Sequence, residues 1–146
     1  MYPILIIAAV IALDQFAKLQ AVAKLAPNGD FTIIPKFLEF TFVQNYGIAF
    51  GMFQNKVLFF IISTSIIAAV ILYFIFKMYK KHAFITICLS FILGGAIGNL
   101  IDRIRLGYVV DFIHFNFFSP VFNIADSAVV VGAIAMSIAI LLTKEL

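Results

Sequence analysis

Charge is scarce in this sequence: of 146 residues, only 12% are Asp, Glu, Lys or Arg. Tryptophan is absent, and there are only two His and one Cys. Each shortage excludes something. A net charge of +3, scattered along the chain, is too small to draw in nucleic acid, and no such partner is expected. A single cysteine, Cys88, cannot form an intramolecular disulfide, and its place inside an apolar run suits a buried thiol. No repeats or low-complexity segments interrupt the chain. What is plentiful is hydrocarbon: 64% of residues are hydrophobic, 18 of them Phe, and the mean hydropathy is +1.15. A soluble domain of this size cannot bury so much apolar surface, so the solvent must be lipid.

Three apolar windows carry that reading: 57–76 and 83–100 have no charge, and 121–143 has only Asp126. Each approaches the ~20 residues that a helix needs to cross a bilayer core. A fourth window begins at residue 3 and continues with helical periodicity through DQFAKLQAVA, which predicts a first span over 2–20 carrying Asp14. The expected fold is an all-α membrane protein, a single domain over 1–146 with four transmembrane helices. A cleavable signal peptide at the N-terminus is disfavoured, because there is no basic leading segment, Asp14 interrupts the apolar stretch, and no small-x-small cleavage site follows. Between the first two spans, FTIIP and LEFTFVQ alternate in a β pattern, so residues 21–56 are expected to hold a small hairpin at the interface. NYGIAFG follows, where Gly47 and Gly51 permit tight backbone geometry.

With four spans, the end of the first, the start of the second, the end of the third and the start of the fourth open on one membrane face. The unusual polar residues gather at those places: Asp14, Lys18, Asn45, Asn99, Asp102, Arg103, Asp111, Asn123 and Asp126. Ionisable groups in a membrane are expensive and point to function. Charge counting does not orient the protein. Four Lys lie on the side of the KMYKKH loop, but Lys18, Lys24, Lys36, Lys56, Arg103 and Arg105 lie on the other; only the local density of the short loop favours a cytoplasmic location.

Asp111 and Asp126 are the strongest candidates for chemistry. Fifteen residues separate them, with Pro120 between, so a connector can leave the surface, turn and bring both carboxylates together. Two such groups in a low-dielectric site do not both ionise readily, so one keeps a proton while the other serves as a base, as activation of water for peptide hydrolysis requires. The plainer alternative is that Asp111 is a solvated loop residue and Asp126 a helix cap. In GNLIDR, Arg103 either pairs with Asp102 at a helix end or grips an acidic side chain or lipid phosphate, with Asn99 directed to the dyad. Gly94, Gly95 and Gly98 make a small-residue face for helix packing. Asp14 and Lys18, four apart, suit an internal ion pair, and Asn45 suits either a turn or the polar layer. A metal held by Asp111, His114 and Asp126 is disfavoured by the lack of HExxH, of a second His on this face and of a nearby Cys, so no metal or cofactor is expected. Ser127 lacks any nucleophile motif.

DQFAK at 14–18, NYGIAFG at 45–51, GGAIGNLIDR at 94–103, VVDFI at 109–113 and FNIADS at 122–127 together resemble the lipoprotein (type II) signal peptidases of bacteria, in order and spacing over nearly the whole chain. The resemblance implies a multi-pass aspartic endopeptidase of the bacterial cytoplasmic (inner) membrane, with both termini in the cytoplasm and the site near the extracytoplasmic face. It would remove the signal peptide from diacylglyceryl-modified prolipoproteins just before the lipid-bearing cysteine. It also implies that Asp111 and Asp126 are the catalytic pair, supported by Asp14, Lys18, Asn45, Gly51, Asn99, Asp102, Arg103, Asn123 and Ala125. The partners expected are the prolipoprotein and membrane lipid, and a monomer is expected. The alternative is a small proton-coupled transporter or proton-relay protein using Asp14, Asp102 and Asp126. A relay would spread its carboxylates through the membrane depth, whereas these cluster at one face.

Overall fold

The structure, a computed structural model, describes residues 1–47 and 56–143. The apolar windows become four helices long and apolar enough to cross a membrane: α1 (Tyr2–Asn28), α2 (Val57–Met78), α3 (Ala83–Leu106) and α4 (Ile124–Thr143). Helix α3 is the central one, packed against the other three. Its glycines explain why. A Cβ on Gly94 would lie 2.8 Å from the Val10 Cβ of α1, and one on Gly98 would lie 2.7 Å from the Asp14 carboxylate. A Cβ on Gly95 would collide with the Ala125 carbonyl of α4. The predicted small-residue face therefore serves two neighbours at once, letting backbones approach where lipid offers no hydrophobic drive for helices to associate.

Three boundaries differ from expectation. Helix α1 continues past residue 20 to Asn28, because QAVAKLAPN keeps an apolar face, with Ala21 and Leu25 buried. Helix α3 passes residue 100 to end at Gly107, whose φ of 78° suits a glycine and whose N–H bonds the Arg103 carbonyl at 3.2 Å. Residues 121 and 122, expected to open the fourth span, are a strand instead.

The larger correction concerns the sheet. The predicted hairpin exists as β1 (Phe31–Ile34) and β2 (Leu38–Asn45), but it is half of a four-stranded antiparallel sheet completed by β3 (Val109–Phe115) and β4 (Val121–Phe122), in the order β1-β2-β3-β4. Asp111, expected in a connector, lies on β3 opposite Val43. Strand alternation sends Val110 and Phe112 to one side, where they pack with Ala21 and Leu25 of α1, and leaves Asp111 facing the other. The sheet thus has a face turned to α1, with Val110 and Phe112 packed on it, and a face that presents a carboxylate.

Candidate active site

FNIADS answers why an amide and a carboxylate sit at the head of an apolar helix. Asn123 is the N-cap residue of α4: its Oδ1 accepts the Asp126 N–H at 2.8 Å, and Asp126 Oδ2 accepts the Asn123 N–H at 3.2 Å. This is a reciprocal capping box, which satisfies donors that lipid would leave bare. A third donor, the Ala125 N–H, goes to Asp14 Oδ1 of α1 at 2.8 Å. Asp126 therefore does act as a helix cap, but only one of its oxygens does so. Its other oxygen, Oδ1, accepts Asn99 Nδ2 at 2.8 Å.

Asp111 is held as firmly. Its Oδ1 accepts Asn123 Nδ2 at 2.6 Å and its Oδ2 accepts Asn45 Nδ2 at 2.8 Å. Asn123 thus touches both carboxylates, through its side chain on one and its backbone on the other. Three asparagines, from β2, α3 and the start of α4, place donors on this pair without adding charge. Burial, reinforced by the Asp126 carboxylate, pushes Asp111 up to about 7, against the opposing pull of its Asn45 and Asn123 hydrogen bonds and of Lys18. A carboxyl titrating there holds or releases a proton at physiological pH, as acid–base chemistry requires.

Beneath the pair lies an ionic hub. Lys18 Nζ contacts Asp14 Oδ2 at 2.9 Å, Asp102 Oδ2 at 2.9 Å and Asn99 Oδ1 at 2.9 Å, so its three protons meet three acceptors. Because Asn99 accepts from Lys18 through oxygen, its amide nitrogen is the end left to face Asp126. Asp102 Oδ2 also accepts the Val110 N–H at 3.0 Å, which fixes β3 one residue before Asp111. Among the described residues, no buried side-chain nitrogen or oxygen lacks a partner.

Of the supporting residues expected, Asn45, Asn99 and Asn123 bond the two carboxylates directly, and Asp14, Lys18, Asp102 and Ala125 lie in the network beside them. Arg103 differs. Among the described residues it pairs with no carboxylate; its guanidinium stacks 5.2 Å from the centre of the Phe60 ring, while Asp102 turns to Lys18 and Gln15. Gly51 lies outside the described residues. His114 also departs from the metal reading, being three positions along β3 from Asp111 and bonded to Glu39 across β2 at 2.7 Å. Among the described residues, no three His, Cys, Asp or Glu gather in metal-binding geometry. Sequence reasoning missed Gln15, whose Nε2 reaches Asp102 at 2.9 Å and the Gly98 carbonyl at 3.2 Å. The signal was present, since it is an amide beside Asp14 in the middle of an apolar span.

Asp111, Asp126, Asn99, Asn45 and Arg103 line one end of a cavity of about 450 Å³. Most of the rest of its wall is hydrocarbon, including Ile67 and Ile71 of α2, Ile92 and Ala96 of α3, and Val129 and Val130 of α4. Two carboxylates at the end of an apolar slot, rather than spaced along a channel, make an arrangement for chemistry on an apolar substrate and not a relay. The fold is that of known membrane enzymes. Two bacterial membrane enzyme structures obtained by the in meso method, at 2.3 and 1.9 Å resolution, each superpose with a TM-score of 0.88 over 99% of this chain. The superposition takes in 90% of the first structure's chain, at 39% identity, and 94% of the second's, at 38%.

Residues 6–142 match the family described as signal peptidase (SPase) II. Curated relatives agree: the lipoprotein signal peptidase of Caldanaerobacter subterraneus subsp. tengcongensis is 53% identical over 133 residues, 91% of either chain. That of Enterococcus faecalis is 42% identical over 142 residues, covering 97% of this chain and 88% of its own. The chain belongs to the signal peptidase II family, and is a protease and a multi-pass bacterial membrane protein.

Proposed function

We propose that this protein is an aspartic endopeptidase that removes the signal peptide from diacylglyceryl-modified prolipoproteins, cleaving just before the lipid-bearing cysteine. The observation that carries the aspartic reading is Asn123, which bonds both Asp111 and Asp126 at the polar end of an apolar cavity. One carboxylate takes a proton from water while the other gives a proton to the scissile carbonyl oxygen. The water oxygen bonds the carbonyl carbon, and the resulting tetrahedral diol collapses: the C–N bond breaks, the nitrogen takes the proton that the first carboxylate had removed from water, a diol hydroxyl returns its proton to the second carboxylate, and the signal peptide leaves as a new carboxylic acid. The cysteine keeps its acyl chains and gains a free amine. Asn45, Asn99 and Asn123 hold the pair in place through the change, with the Asp14–Lys18–Asp102 hub fixing Asn99 and β3 from below.

The apolar wall along α2, α3 and α4 suits a hydrophobic signal segment, and the aromatic-rich sheet suits the acyl chains at the membrane surface. This reading sets the active protein as one membrane domain in the cytoplasmic membrane, with the sheet outside, and a monomer supplies every group named. Gly51 and Arg103 complete the proposed supporting set, Arg103 as the cation at the cavity mouth. Purified protein incubated with a diacylglyceryl precursor should yield the shorter lipidated product, and with the unlipidated precursor should yield little. Equal rates on both would remove the lipid from the recognition. Cysteines at positions 28 and 80 decide the orientation: an impermeant reagent should label the first from outside intact cells and not the second.

A further inference from the structure

A second cavity lies on the α1 side of the sheet, about 820 Å³ in volume, and it shares no lining residue with the carboxylate cavity. Phe31 of β1, Phe40 of β2, Phe112 of β3 and Ala17 of α1 line it. Its size falls in the roughly 300–1,000 Å³ range of sites that engulf a small ligand. Water gains little in a mainly apolar space, and this one opens onto the outer surface: Phe16 and Phe31, both 63% exposed, belong to its wall and to that surface alike.

Along α1 the wall is graded. Phe16, Gln20 and Lys24 follow one another at four-residue spacing, so they rise up one face of the helix from apolar to polar to cationic. At 27 residues α1 is about 40 Å long, against the ~30 Å of a bilayer's hydrocarbon, so its last turns emerge among the headgroups. Lys24 lies there, exposed, and forms no ion pair among the described residues. Acyl chain, ester linkage and phosphate are stacked in a phospholipid in that same order and direction. We infer that the cavity between α1 and the sheet holds a resident membrane phospholipid, one acyl chain beside Phe16 and Phe112 and its phosphate on Lys24. Such a lipid would back the sheet from the side opposite Asp111 without entering the cleavage site. Asp30, also on the rim, disfavours a second negative charge in the headgroup.

The test uses the full chain in nanodiscs and phosphatidylglycerol bearing a photoreactive group on an acyl chain, read by mass spectrometry of adduct peptides and of lipid retained after a detergent wash. Wild type should retain one phosphatidylglycerol and be crosslinked within 16–31 and 112–124. Lys24→Glu should lower retention at least ~tenfold, as expected for reversing a charge that faces a phosphate. Gln20→Trp should also lower it, by placing an indole across the middle of the cavity, while both variants still cleave a lipidated precursor in detergent. Retention unchanged in both variants, or crosslinks confined to other segments, would overturn the inference. So would one-for-one displacement of the phospholipid by a lipidated precursor, because the cavity would then belong to the substrate.

Discussion

Helices α2 and α3 are similar in length and both apolar, yet only 11% of the most apolar stretch of α2 is buried inside the protein, against 44% for α3. The buried residues of α2 are two, Phe60 and Ile75. Those of α3 include Thr86, Ser90, three glycines and Asp102. Lipid accepts any apolar side chain on α2, while protein neighbours dictate nearly every position along one side of α3. Hydrophobicity puts a helix in the membrane; small and polar residues decide what it does there.

The sharpest way to press this contrast is at the groups that α3 helps to hold. Asp111→Asn and Asp126→Asn should each lower turnover on a lipidated precursor by at least ~10³-fold per folded enzyme, with the double variant little worse than either, as for residues acting as one unit. Substantial turnover in either single variant would sink the dyad. Next comes the hub. Lys18→Met leaves Asp14 and Asp102 buried without their cation, a change that destabilises by about 3–5 kcal/mol, and thermal unfolding in detergent should show it. Adding Asp14→Asn should restore part of that loss.

A smaller but still clear effect is expected at Gly95. Gly95→Ala drives a methyl into the Ala125 carbonyl, a backbone atom one residue from Asp126. Overpacking of this kind costs about 1–3 kcal/mol, and displacement of the N-terminus of α4 should lower turnover by ~10²-fold, the scale of a 1 Å misplacement.

The pH dependence is gentler. Asp111 is raised in the folded protein from an ordinary 3.8 to about 7, so the fold binds its proton more tightly than the unfolded chain does. Its contribution to stability is fully present below pH 3.8 and is lost as pH rises through about 7. If Asp111 supplies the acid, turnover should fall over the same upper range, and Asp111→Asn should flatten the stability slope; an unchanged slope in that variant would assign it to another group. At the far end of the scale, Ile66→Leu on the lipid face of α2 should leave turnover within about twofold. A large loss there would mean that α2 is read by a partner rather than by lipid.

The helices were legible because a bilayer demands long apolar runs and the chain supplies them. That Asp111 and Asp126 come together was legible because carboxylates are so expensive beside hydrocarbon. The sheet was only half legible. FTIIP and LEFTFVQ lie close enough in sequence to suggest a hairpin, but VVDFIHF pairs with a strand far upstream, Asn45 opposite Val109, and nothing local marks that partnership. The Arg103–Asp102 pair, one of the two readings open for Arg103, does not form for a related reason. Adjacency to Asp102 suggested a pair, yet successive helical residues point in different directions, and Lys18 from another helix claimed the carboxylate. Gln15 was overlooked because an amide carries no charge to draw notice, although its hydrogen bonds span two helices.

The bond from the Ala125 N–H to Asp14 joins positions 111 residues apart in the chain. During synthesis, α1 enters the membrane long before the N-terminus of α4 leaves the ribosome. A nascent chain with three helices inserted has Lys18 to hold Asp14, but lacks Asp126, Asn123 and the amide that Asp14 must cap. On the proposed function, the cleavage site is completed only when the head of α4 meets α1, so a chain whose translation stops before residue 123 should carry no proteolytic activity.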